Sequence, residues 1–88
     1  MIVQDDVLNA SALPTVMVAP LTSNLRRAEA IGNALLSPSE TGLDRASVVL
    51  VCQVMTLDEG FFGELVGSLS GRARRRVDRG LALALGLA

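Results

Sequence analysis

Ala46-Ser47-Val48-Val49-Leu50-Val51-Cys52-Gln53-Val54-Met55 is the stretch whose reading decides the fold. Five apolar residues run from Val48 to Cys52, a single polar Gln53 follows, and Val54 and Met55 close the run. Four of these residues are Val, whose stiff, β-branched side chain packs well on a pleated surface. The run is too short for a buried helix. It is bounded by Gly42, Asp44 and Arg45 before it and by Thr56, Asp58 and Glu59 after it, so it reads as a central strand buried on both faces. Gln53 is then the anomaly. An amide buried without a partner costs about 1–3 kcal/mol, so Gln53 either pairs with a neighbouring loop or stands at the rim of a cleft. Residue type alone favours the loop partner.

Outside that strand, composition sets limits. The chain has 88 residues, enough for one small domain spanning 1–88. Half its residues are hydrophobic, yet its only aromatics are Phe61 and Phe62, so the core is built from Val, Leu and Ala. So much apolar surface on so short a chain predicts that a partner, most simply a second copy, covers part of it. The net charge is −1, and every basic residue is Arg, five of the eight lying between Arg72 and Arg79. Cys52, the one cysteine, reads as a small buried hydrophobe. There is no His, which removes the commonest metal ligand and the commonest general base. No apolar stretch approaches the length of a membrane span, and the expected setting is the cytoplasm.

Taken in order, Met1-Ile2-Val3 looks like the tail of a strand whose beginning lies upstream. Val7–Ala12 reads as a loop. Asp5 and Asp6, lacking a third carboxylate or a His at ligand spacing, read as a solvated turn and not a metal site. Pro14–Thr22 is the second strand, with Val16 and Val18 pointing one way and Met17 and Ala19 the other. Pro20 cannot donate to a ladder and marks an edge, a bulge or the strand's end. Thr22, Ser23 and Asn24 follow as polar side chains where that strand opens into a loop, either a closed turn or presented groups. Leu25–Asn33 is a polar loop and Ala34–Leu36 a short strand. Ser37, Pro38 and Glu40 form a capping box with Pro at the first helical position, and Gly42 stops the helix after about one turn. Thr56-Leu57-Asp58-Glu59 repeats the capping pattern and predicts another helical turn. Glu64–Leu69 suits a last strand. Ser70 caps a final helix over Gly71–Leu87, with Ala73, Val77, Leu81, Ala84 and Leu85 on one face and its nearly all-apolar last turns buried. The Arg72–Arg79 cluster wraps round that helix and reads as a solvated face more readily than as a phosphate-binding one. Close-spaced strands without helical crossovers give a mainly β (β+α) fold: a small, curved antiparallel barrel with a C-terminal helix.

No Gly-rich phosphate loop, C-x-x-C, HExxH or G-x-S-x-G is present. Five blocks nevertheless occur in a telling order: VQDD (3–6), VAPLTSN (18–24), SPSETGLDRASVVLVCQVMTLD (37–58), GELVGSLS (63–70) and VDRGLALALGL (77–87). Together they resemble the MazF/PemK toxin family over nearly the whole chain.

That resemblance implies an SH3-like barrel with a C-terminal helix, a homodimer, and a cognate antitoxin that wraps it. It also implies sequence-specific cleavage of single-stranded RNA without a metal or any other cofactor. It gives Thr22 the place of the family's strand-end Thr beside the scissile phosphate, a catalytic role. Asn24, Ser47 and Gln53 fall at RNA-binding positions. The chemistry is coherent, since RNA supplies its own nucleophile, the 2′-OH, and needs only orientation and charge stabilisation. The family's catalytic Arg, part of an Arg-Pro pair ahead of the strand that here starts at Ile2, has no counterpart, and Arg26, Arg27 and Arg45 do not lie at its position. An N-terminally truncated family domain is therefore expected. The alternatives are a non-catalytic remnant that dimerises and binds antitoxin or RNA, and a topoisomerase-inhibiting toxin of the same fold.

Overall fold

The structure, a computed structural model, describes residues 1–3, 12, 14–58, 60 and 68–87. Strands β1 (Thr15–Val18) and β2 (Leu21–Thr22) come from the expected second strand, broken at Ala19-Pro20. A 3₁₀ turn over Leu25–Glu29 follows, then β3 (Ala34–Leu36) and the one-turn helix α1 (Pro38–Thr41). Strand β4 (Ser47–Val49), a second 3₁₀ turn (Val51–Gln53), β5 (Met55–Asp58) and helix α2 (Gly71–Ala84) complete the order. All pairings are antiparallel: β1 with β5, and β2 with β4, which also pairs with β3. Ile2 bridges Val18 on the other edge of β1, with Val3 N donating to Met17 O at 3.0 Å and Ala19 N to Met1 O at 2.8 Å. Among the described residues the architecture is thus mainly β with a C-terminal helix, as expected, and two antiparallel sheets.

The run 46–55 is not one strand. Register shows why. Val18 pairs with Met55 before the break and Leu21 with Val49 after it. Two residues on one arm, Ala19 and Pro20, therefore face five on the other, Leu50 to Val54. The three surplus residues are the 3₁₀ turn Val51–Gln53, an enlarged bulge of the kind that bends a strand and passes it from one sheet to the next. Pro20 has no N–H to give, but its carbonyl accepts from Leu50 N at 2.9 Å, which joins the two arms at the corner. Cys52 and Gln53 are consequently exposed, and Cys52 is not the buried hydrophobe its neighbours suggest. Thr56–Asp58, expected to start a helix, is strand, because pairing with β1 from Thr15 to Val18 satisfies its backbone better than one isolated turn could.

Other expectations hold. Ala34–Leu36 is a strand with the same bounds. Glu40 closes the capping box by accepting from Ser37 N at 2.9 Å, and Gly42 ends α1 in the left-handed region at φ 80°. Val16 and Val18 are buried while Met17 is exposed. Of the expected loop Val7–Ala12 only Ala12, and of the expected strand Glu64–Leu69 only Ser68 and Leu69, lie among the described residues.

One cluster of Ala19, Ala34, Leu36, Val49, Val51, Ala73 and Val77 fills the space between the β3–β4 sheet, the corner and α2. Fully burying a Val or Leu side chain contributes about 1.5–3 kcal/mol, and Leu36, Val49, Val51 and Val77 do so here. Ser70 caps α2 by accepting from Ala73 N at 3.2 Å. Ala73 and Val77 are buried as the spacing predicts, but Leu83, Leu85 and Leu87 are exposed, so the apolar last turns are not covered by this chain's described residues. The helix seats on the Gly32 turn through backbone contact. A Cβ on Gly80 would overlap the Gly32 carbonyl, and one on Gly32, where φ is 89°, would meet Gly80 O and Val51 Cγ2 at 3.0 Å.

Two arginines also fasten α2. Arg74 donates to the carbonyls of Ile2 at 3.2 Å and Val3 at 3.5 Å. Arg76 forks onto Glu40 at 2.9 and 3.0 Å and onto the Leu35 carbonyl at 2.8 Å. That fork, with the Ser37 amide, lowers the Glu40 carboxyl from its ordinary 4.5 to about 2. A carboxyl lowered on folding stabilises the fold above its ordinary pKa and ceases to do so as pH falls through its folded one. Glu40→Gln should therefore unfold at lower urea than the parent chain above pH 4.5, and the two midpoints should converge as pH approaches 2. Gly80→Ala gives an opposed pair of expectations. Helix propensity alone would add about 1 kcal/mol, whereas the clash costs about 1–3 kcal/mol or more. Urea denaturation should show net destabilisation.

Candidate functional site

The site is built around the corner. Thr22 ends β2 directly opposite Val48, so their side chains share one face of the sheet. Its Oγ1 accepts from Asn24 N at 3.2 Å. Asn24 in turn caps the 3₁₀ turn, its Oδ1 accepting from Arg26 N at 3.3 Å. These short-range bonds order a hydroxyl and an amide side by side at a strand end, with Asn24 exposed and Thr22 half-buried. The Thr22 hydroxyl hydrogen is not committed by the bond it accepts, so Thr22 can still donate.

Gln53 reaches the same corner from the other arm. Its N–H closes the turn onto Leu50 O at 3.1 Å, and its side chain is exposed. Thr22 and Gln53 flank one hydrogen bond, Leu50 N to Pro20 O, two residues along from Pro20 and three from Leu50. Of the two readings of Gln53, an internally paired amide and a group at a rim, its exposed position on a turn fits the second.

Ser47 is not brought together with them. It pairs with Leu36, lies one residue along from Val48 and so faces the opposite side of the sheet. It is buried, and its Oγ donates to Arg45 O at 3.4 Å.

Asn33 is the participant that sequence reasoning misses. Its Oδ1 accepts from Val51 N at 3.1 Å and its Nδ2 donates to Arg27 O at 2.9 Å. One side chain thereby fixes the first amide of the Gln53 turn and the loop that starts at Thr22–Asn24. In sequence Asn33 merely ends a loop after Gly32; only the extra residues opposite Pro20 could have signalled an amide needing a partner. Arg76 is a second omission, hidden because the Arg72–Arg79 cluster looks uniform.

The arrangement offers a donor hydroxyl and two exposed amides around a rigid corner, a set suited to holding a polar, anionic chain. Asn33→Ala should cost about 1–3 kcal/mol by leaving the Val51 amide unpaired. Asn33→Asp keeps an acceptor for that amide and should cost less; urea denaturation of both checks the order.

Comparison with known proteins adds the following. The family model described as PemK-like, MazF-like toxin of type II toxin–antitoxin system matches residues 1–85. Endoribonuclease MazF6 of Mycobacterium tuberculosis H37Rv is 39% identical over 87 residues, covering 99% of this chain and 76% of that protein. Endoribonuclease MazF of Staphylococcus saprophyticus is 33% identical over 86 residues, covering 98% and 71%. Among solved structures, the M. tuberculosis toxin MazF-mt6 superposes with a TM-score of 0.86 at 23% identity, over 100% of this chain and 85% of that one. An endoribonuclease in complex with its cognate antitoxin, from a mycobacterial species, superposes at 0.85 with 24% identity, over 100% and 80%.

Proposed function

The chain belongs to the PemK-like, MazF-like toxin family of type II toxin–antitoxin systems, and from that premise we propose that it is a sequence-specific, metal-independent endoribonuclease acting on single-stranded RNA. The observation that carries the proposal is identity of 39% across 99% of the chain to a protein named an endoribonuclease. In the reaction the substrate's 2′-OH attacks the adjacent phosphorus, the bond to the 5′-oxygen breaks, and a 2′,3′-cyclic phosphate and a 5′-hydroxyl result. The 2′ proton passes to water and the leaving 5′-oxygen takes one from water.

Thr22 is the catalytic hydroxyl, donating to a non-bridging oxygen as charge builds in the transition state. Asn24 and Gln53 hold the strand on either side of the corner. Ser47 acts from beneath the sheet, by its bond to the Arg45 carbonyl, on the bend that leads into β4. Unpaired bases suit such a site, because their edges are free for amide side chains to read.

The partners are a cognate antitoxin and a second copy of the chain. Support for a second copy comes from the exposed apolar side chains Ile31, Leu83, Leu85 and Leu87, at 82, 55, 65 and 77% exposure, which an interface would cover. No helix among the described residues is long and apolar enough to cross a membrane. A cytoplasmic setting, where messenger RNA is found, fits the proposed substrate.

Incubation with single-stranded RNA in EDTA tests the activity. Cuts bearing 2′,3′-cyclic phosphate ends are expected, slowed roughly 10²–10³-fold in Thr22→Ala with an unchanged melting temperature. Intact RNA, or a Thr22→Ala chain that cuts at the parent rate, would overturn it.

A further inference from the structure

The Arg72–Arg79 cluster divides into two groups once its contacts are known. Arg74 is held by Asp78 at 3.1 Å and by the Ile2 and Val3 carbonyls, and Arg76 by Glu40 and the Leu35 carbonyl. Arg72, Arg75 and Arg79 are exposed and have no hydrogen-bond or ion-pair partner among the described residues. At spacings of three and four these three fall on one face of α2, opposite buried Ala73 and Val77. They form a stripe spanning about 10 Å of helix axis.

A face that is merely solvated usually interleaves both signs of charge. This one holds three guanidinium groups, and the one carboxylate beside it, Asp78, three residues from Arg75, is already paired with Arg74 at 3.1 Å. It also begins at the helix N-terminus, where the macrodipole disfavours cations, and the first turn carries no acidic residue to offset them. Alone, the helix is harmed by this arrangement; an anion laid along the stripe would relieve it.

We infer that Arg72, Arg75 and Arg79 form a backbone-binding stripe for the phosphates of a single-stranded RNA, outside the corner where Thr22 and Gln53 lie. The inference rests on the proposal that RNA is the substrate. Charge complementarity selects this occupant. RNA carries a phosphate at every nucleotide, so any register along the strand supplies anions to three successive guanidinium forks. An acidic peptide would need carboxylates at matching intervals. The stripe reads no base; it adds sequence-independent affinity for the strand.

The test compares the full chain with the triple variant R72Q/R75Q/R79Q, using a fluorescein-labelled, fully 2′-O-methylated mixed-sequence oligoribonucleotide that cannot be cut. Affinity is measured across a salt series. Single strands lose about 0.7 in slope per phosphate contact, so the variant's salt slope should be shallower by about 2 and its low-salt affinity about tenfold or more weaker. Its melting temperature should be equal or higher, since repulsion at the helix start is reduced. An unchanged slope overturns the stripe. So does polyglutamate binding the parent chain more tightly than the oligonucleotide, which would assign the face to an acidic protein segment. Cleavage of unmodified RNA in EDTA is scored in parallel. A parent chain that cuts RNA while the slope is unchanged fails the stripe and keeps the proposed activity; a shallower slope without cutting keeps the stripe and fails the activity.

Discussion

Two long arms of the chain bend at the same place, and one hydrogen bond, Leu50 N to Pro20 O, holds the bend. Because Pro20 contributes no N–H, the ladder cannot continue through it, and the opposing arm has slack to fill. Three surplus residues take up that slack as a 3₁₀ turn. Everything chemically useful about the corner follows. The turn buries Val51 and exposes Cys52 and Gln53, while the opposing arm delivers Thr22 and Asn24 within four residues of Pro20. A continuous strand through 46–55 would have sent alternate side chains into the core and left no such projection.

Rigidity at the corner comes from behind it. Val51 is pinned between the Gly32 turn and α2, and Asn33 bonds its amide. Helix α2 approaches so closely at Gly80 that backbone meets backbone. Arg74 and Arg76 then hold its N-terminal half to two other parts of the chain, the strand at Ile2–Val3 and the β3–α1 junction. The same helix thus uses two of its arginines for architecture and leaves three facing outward. A scaffold of this size has a thin stability margin, and concentrating contacts on one helix and one corner is a way of keeping polar groups fixed without a large core.

Much of this was legible in the sequence. The capping box Ser37–Glu40, the Gly42 stop, β3 and the buried face of α2 at Ala73 and Val77 each rest on local chemistry, which one sequence displays. Pro20 marks a break in sequence, but its consequence for residues thirty positions later depends on register, which pairs distant segments and leaves no local mark. For that reason the local pattern puts Cys52 and Gln53 in a strand, where the structure has a 3₁₀ turn. Thr56–Asp58 shows the complement: its capping pattern is real, yet pairing with β1 supplied more backbone hydrogen bonds than a single helical turn. Thr22, Asn24, Gln53 and Ser47 enter through resemblance to a family pattern; the first three lie around the Pro20 corner, and Ser47 is buried on the other face of the sheet. Asn33 and Arg76 carry no signal in a single sequence, because their importance lies in which carbonyls and amides they meet.

We propose that Thr22, Asn24 and Gln53 act as one RNA-binding surface because the Pro20 corner holds them together. Backbone amide shifts of ¹⁵N-labelled protein, titrated with a 2′-O-methylated single-stranded oligoribonucleotide, test it most directly. The amides of Thr22, Asn24, Cys52 and Gln53 should move together with one apparent Kd, while Ser47 stays still. Movement at Thr22 and Asn24 with residues 51–53 unmoved, or movement centred on Ser47, would contradict it.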